Sequence, residues 1–165
     1  MPVETLWPEL VGKNLDLKVY NLAWAGTSSD TCFMLAKYWL PVLRPSLVVM
    51  AAPPKNRFDI ILAAGNPEVQ TIMPHTTAGE FSNDAMVKHW LTNERNHELN
   101  NAKNKLAVQA LCSNLGITCL TYDAHEFFAR SREEVEYARD HMHAGPKGHR
   151  MFAERILDDW RKKHA

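Results

Sequence analysis

The run Leu47-Val48-Val49-Met50-Ala51-Ala52 constrains this chain most, because it is unbroken, apolar and set between Pro45 and Pro53. It is strand-length, and it lacks the alternation of a strand that has one face in water. Both of its faces therefore need covering, as in the parallel sheets of α/β proteins. Upstream, Cys32, Leu35, Ala36, Trp39 and Leu40 recur at helical spacing. Thr27-Ser28-Ser29-Asp30 offers N-caps for that helix, while Pro41 and Pro45 mark a kink and a stop. Before it, Leu17 to Ala23 has strand character and is broken by Gly26. The order strand, helix, strand implies parallel pairing and an α/β fold.

Further along, Ile60-Ile61-Leu62 and Val69 to Ile72 flank an Ala64-Gly65-Asn66-Pro67 turn, which fits either a hairpin or an extended loop. From Asn83 to Asn114 the chain is polar with spaced apolar positions and stops at Leu115-Gly116, which predicts one long helix or two short ones. Ile117 to Tyr122 reads as another strand, and the residues from Asp123 as a short helix carrying Phe127 and Phe128. The tail, Pro146 to Lys163, puts Phe152, Ala153, Ile156, Leu157 and Trp160 on one face, which predicts a terminal helix packed on the sheet.

With 165 residues the expectation is a single domain, residues 1–165. Nineteen basic residues balance nineteen acidic ones, so no global field draws the chain to nucleic acid or an acidic membrane. Apolar stretches are strand-sized, and the first residues lack a basic segment followed by an apolar one, so neither a membrane span nor a leader is expected. Cys32, Cys112 and Cys119 are odd in number, set among apolar residues and without metal-ligand spacing, which suits reduced thiols in a cytoplasmic protein.

Chemistry concentrates in Asp140-His141-Met142-His143-Ala144-Gly145-Pro146-Lys147-Gly148-His149, a loop entering the last helix. A carboxylate three residues before a histidine can accept the Nδ1 proton in a tight turn and leave Nε2 as a general base. Asp140 and His143 meet that requirement. Composition alone favours helix-capping and loop roles for these residues, while His141, His143 and His149 are irregularly spaced for a metal site and no Cys or Glu completes a first shell.

These residues resemble the last block of the SGNH, or GDSL-type, serine hydrolases, Asp-x-x-His-Pro-x-x-x-Gly-His. Asp140, His143, Gly148 and His149 fall at that spacing, with Ala144 where the proline usually stands. A second block occurs in the expected order: Val19-Tyr20-Asn21-Leu22-Ala23-Trp24-Ala25-Gly26, whose Gly26 matches the family's oxyanion glycine. Physically, a glycine lets the backbone approach substrate closely, and a helix N-terminus behind it favours developing negative charge. The family's next block supplies an asparagine. Here Pro53-Pro54-Lys55-Asn56-Arg57 stands in its place, so Asn56 is a second oxyanion donor a few residues late and Arg57 an alternative group facing substrate. A plain loop fits both.

The family's first block, a strand ending in Gly-Asp-Ser, has no counterpart, whereas Val3 to Leu10 resembles the stretch that follows it. The resemblance thus implies a three-layer αβα, doubly wound parallel sheet of SGNH-hydrolase or flavodoxin-like type, N-terminally truncated and lacking its first strand. That strand would lie between residues 17–23 and 46–52, and its loss exposes unpaired backbone groups and favours pairing with another chain. The implied activity is ester hydrolysis through a serine, with His143 as base, Asp140 as its orienting acid, and an ester or acylated sugar as substrate. No cofactor is implied. Ser28 and Ser29, beside Gly26, are the candidates for a substitute nucleophile, although the family uses that position to cap a helix. Two other readings stand beside this one. The first is a binding protein that keeps the cleft, and the second a flavodoxin-like phosphate or nucleotide binder at the Gly26 turn, which lacks a P-loop lysine.

Overall fold

A computed structural model describes residues 6–24, 26–61, 69–72, 93–123, 127 and 143–165, with backbone alone at 60, 61 and 69–72. Tertiary contacts group the chain into two compact units, Met1–Ala23 with Ala124–Ala165, and Trp24–Asp123.

The first unit is built on two helices, α1 (Trp7–Leu15) and the last helix of the chain, α4 (Pro146–His164). Each begins with a proline in its first turn, where the missing N–H costs nothing. The predicted face of α4 is the buried one: Phe152, Ala153, Ile156 and Leu157 have lost nearly all contact with water. That face meets α1, in a helix-on-helix contact where a sheet was expected. Trp7 stands edge-on to Phe152 with ring centroids 5.3 Å apart, and Phe127 lies 5.0 Å from the same ring. The chain leaves α1 through Asp16 in the left-handed conformation and doubles back, so that Gly12 lies against Leu17 and Val19. Residues 17–23 form no strand, contrary to the reading of their sequence. Leu17 and Val19 turn partly inward while Lys18 and Tyr20 are exposed, so the alternation of a strand is present over residues 17–20, after which Asn21, Leu22 and Ala23 are all exposed. No described strand pairs with it, and a strand without a ladder has nowhere to place its N–H and C=O groups except water.

The second unit contains α2 (Ser29–Leu43), β1 (Leu47–Ala52), β2 (Phe58–Ile61), β3 (Val69–Ile72), α3 (Glu94–Asn114) and β4 (Thr118–Asp123). The run of apolar residues does form a strand of a parallel pair, but its partner is β4, in register Leu47 with Thr118 through Ala52 with Asp123. The crossover that makes the pair parallel contains α3, whereas the sequence pointed to α2. Residues β2 and β3 close as an antiparallel hairpin, settling the choice left open between hairpin and loop. The turn at 62–68, and 83–92 of the helix expected from Asn83, lie outside the described residues. The molecule is thus a mixed α/β chain with a two-stranded parallel sheet.

The core of this unit joins Ala36 and Leu40 of α2, Met50 and Ala52 of β1, Val108 and Cys112 of α3, and Ile117. Helix α2 continues through Pro41 and ends at Leu43, where Arg44 adopts the left-handed conformation and its N–H reaches the Leu40 carbonyl. Cys112 is fully buried, and all three cysteines are unbridged. Burial lifts the Cys32 thiol to about 11, with Asp59 and Asp30 adding to the effect, so it stays protonated and unreactive at neutral pH. Among the described residues, no helix is long and apolar enough to cross a membrane.

Candidate functional site

The turn at Gly26 is built by the start of α2. Gly26 has φ +80°, in the left-handed region, and a β-carbon placed there would meet nothing within 4 Å. The conformation therefore favours glycine, and the space beside it is open. Its exposed backbone stands two residues ahead of Ser28, the N-cap of α2. Thr27 holds the turn from within by donating its hydroxyl to the Trp24 carbonyl at 2.9 Å. Arg57 holds it from outside, donating from Nη1 to the Thr27 carbonyl at 3.4 Å. Of the residues named from sequence, Gly26, Ser28, Ser29 and Arg57 are thus brought together at one helix N-terminus.

Asn56 sits in the turn between β1 and β2. That turn is tied to α3 by Lys55, whose Nζ lies 2.8 Å from Glu98 Oε1 and 3.5 Å from Glu94 Oε1. Each of these charges is exposed, and the pairing raises the Lys55 pKa and lowers that of Glu98. Asn56 is half-buried.

Ser28 and Ser29 are both buried, with Ser28 losing all exposure. Ser28 Oγ accepts from the Asp30 N–H at 2.9 Å and donates to Asp30 Oδ2 at 3.3 Å. Ser29 Oγ accepts from Asn104 Nδ2 at 3.0 Å. The first hydroxyl caps the helix and the second ties α2 to α3, so neither is presented to a substrate in solution.

Beneath this turn lies a network that the sequence reading missed. Asp30 Oδ1 accepts from Asn104 Nδ2 at 2.7 Å, and Asn100 Nδ2 reaches both Asp30 oxygens at 3.1 Å. The Asp59 N–H donates to Asp30 Oδ2 at 3.1 Å, and Thr31 Oγ1 donates to the Asp59 carboxylate. His97 is buried with its ring 5.1 Å from Phe58, and the buried Asn101 Oδ1 has no hydrogen-bond partner. The sequence offers Asp30 only as one of several N-caps. The available signal was the spacing of His97, Asn101 and Asn104, which continues through Val108 and Cys112 as one helical stripe.

In the other unit, the loop before α4 places His143 at the surface, with Gly145 buried as the N-cap residue and Gly148 buried in the first turn. Asp140 and His141 lie outside the described residues. His149 faces α1: the Trp7 N–H, an orphan donor at the start of that helix, donates to His149 Nδ1 at 3.3 Å. Burial lowers the His149 pKa, which keeps the ring neutral and Nδ1 available as an acceptor. Among the described residues no cluster of His, Cys, Asp or Glu is arranged to hold a metal ion.

Compared with protein-family models, curated proteins and solved structures, the chain matches none.

Proposed function

We propose that the chain carries the oxyanion turn and the acid-base pair of an SGNH-type ester hydrolase, as a fragment or a nucleophile-less form of one. The observation that carries this reading is Gly26: a left-handed, unobstructed glycine whose exposed backbone precedes a capped helix N-terminus. A backbone N–H in that setting can hold a developing oxyanion without reorganising. His143 serves as the general base and Asp140 orients its ring and stabilises the imidazolium. Arg57 fixes the turn by donating to the Thr27 carbonyl.

The burial of Ser28 and Ser29 supports the companion reading of a ligand-binding form, because each hydroxyl already serves the helix start. A flavodoxin-like phosphate site is less well supported. The Gly26 turn carries neither a P-loop lysine nor a Gly-x-Gly-x-x-Gly pattern.

The test uses the purified chain with a short-chain aryl ester and a fluorophosphonate probe. Slow turnover is expected, with His143 taking a proton from a water molecule whose oxygen attacks the acyl carbon in place of a serine and passing it to the leaving alcohol. His143→Ala should lower it by roughly a hundredfold or more, in line with loss of a general base. Equal turnover in that variant would sink the assignment of His143. Labelling of Ser28 or Ser29 would overturn the helix-start role given to them.

A further inference from the structure

Among the described residues β1 pairs with β4 along one edge and with no strand along the other, and the geometry of that second edge says what fits it. The Thr118 N–H donates to the Ser46 carbonyl at 3.3 Å, and Leu47 is the register partner of Thr118. In a parallel ladder the residues that bond a given neighbour alternate along the strand. Ser46, Val48, Met50 and Ala52 therefore turn their backbone groups to β4, while Leu47, Val49 and Ala51 turn theirs away. No described strand receives them. Met50 and Ala52 are buried, whereas Leu47, Val48, Val49 and Ala51 keep some solvent exposure.

We propose that this edge of β1 pairs with the same edge of a second copy of the chain, antiparallel, about a two-fold axis at Val49. The hydrogen-bond pattern selects that register. In an antiparallel pair, opposed residues either both face the partner or both face away. Centring on Val49 sets Leu47 against Ala51 of the second copy, Val49 against its own equivalent, and Ala51 against Leu47. Every outward N–H and C=O of the three residues then finds a partner. The side chains agree with the backbone, since the largest of the three opposes the smallest, and Val48 opposes Met50.

Charge supports the same occupant. Residues Leu47 to Ala52 carry none, so joining two identical strands brings no like charges together. Nor does the strand contain the lysine, proline or bulge with which solitary edges are protected from pairing. Self-pairing of one patch across a two-fold is the commonest route to a homodimer.

The measurement is the mass of the full chain by sedimentation equilibrium across the micromolar range, where a species of twice 18.8 kDa is expected. Val49→Pro removes an N–H that points away from β4, so it spares the β1–β4 ladder while blocking the edge. It should raise the dimer Kd by roughly tenfold or more, because both copies lose a bond. Should that variant fail to fold, Val49→Cys decides. Its Cα atoms would stand about 5.5 Å apart in the pair, close enough for a disulfide. It should cross-link under mild oxidation, reversibly by thiol, where the unaltered chain and Leu47→Cys do not. A monomeric mass throughout would overturn the proposal, as would a Val49→Pro dimer of unchanged affinity or cross-linking equal in all three proteins. A monomer whose Leu47, Val49 and Ala51 amides exchange slowly would show that the edge is closed from within the chain, and would overturn it equally.

Discussion

At the scale of single residues, two half-buried polar side chains, His149 and Asp30, tie elements together, and both make measurable predictions. His149 accepts the Trp7 N–H through Nδ1, and its burial holds the pKa below the ordinary 6.5. Because the folded value lies below the unfolded one, the unfolded chain takes up the proton first as pH falls. The contribution is complete above 6.5 and is lost as pH drops through the lower folded value. Urea midpoints of the native chain should therefore decline as pH falls below 6.5, and His149→Gln should flatten that part of the profile. An unchanged slope would remove His149 from the account. Asp30 is the second. It receives bonds from Asn100, Asn104 and the Asp59 N–H, so Asp30→Ala strands several donors and should cost about 3 kcal/mol, with Asp30→Asn near half of that. A loss below about 1 kcal/mol would mean that water satisfies those donors instead. His143, Gly26 and the two serines could be named from the sequence because they lie in short local patterns. Asp30 could not be weighed, because its partners are 70 and 74 positions away.

At the scale of elements, what the sequence made legible was the type of each helix and strand whose apolar residues keep one period. Helices α2 and α4 and strands β1 and β4 lie within a few residues of their expected places, and the hairpin β2–β3 was one of two readings. Helix α3 was harder to orient. Its buried stripe is polar over its first half, at His97, Asn101 and Asn104, while Leu99 and Leu106 are exposed, so hydrophobicity points to the wrong face. Residues 17–23 failed for a different reason, since strand character is local but a ladder requires a neighbour that composition cannot supply. The turn that follows α1 does test a local claim. A β-carbon on Gly12 would lie 2.2 Å from Val19 Cγ2 and 2.9 Å from the Leu17 carbonyl, so α1 and the chain that leaves it are in contact through that glycine. The Val19 methyl can turn aside, but the Leu17 backbone would have to move. Gly12→Ala should thus destabilise by about 1–3 kcal/mol despite the better helix propensity of alanine. Val19→Ala introduced with it should recover part of the loss. A stabilising Gly12→Ala would show that the return of the chain adapts freely.

At the scale of the whole molecule, the decisive fact is where the apolar core closes. Every member of the cluster around Met50 and Val108 belongs to residues 24–123, from Cys32 on α2 to Cys119 on β4. The polar network around Asp30 is likewise drawn from that stretch alone. The other unit is assembled from both ends of the chain, which can meet only once the intervening residues are compact. This connectivity gives the two units unequal independence. Residues 24–123 expressed alone should retain helical circular dichroism and a cooperative thermal transition, at lower stability than the full chain. The same stretch carrying Asp30→Ala should lose that transition, because a domain this small stands only some 5–15 kcal/mol above unfolding and its network holds a large share of the margin. Residues 1–23 and 124–165 mixed in solution should show little structure, since joining them requires the connecting chain that makes their meeting intramolecular. If residues 24–123 were instead unfolded in isolation, the core seen in them would depend on the terminal segments, and the chain would fold as a single cooperative body.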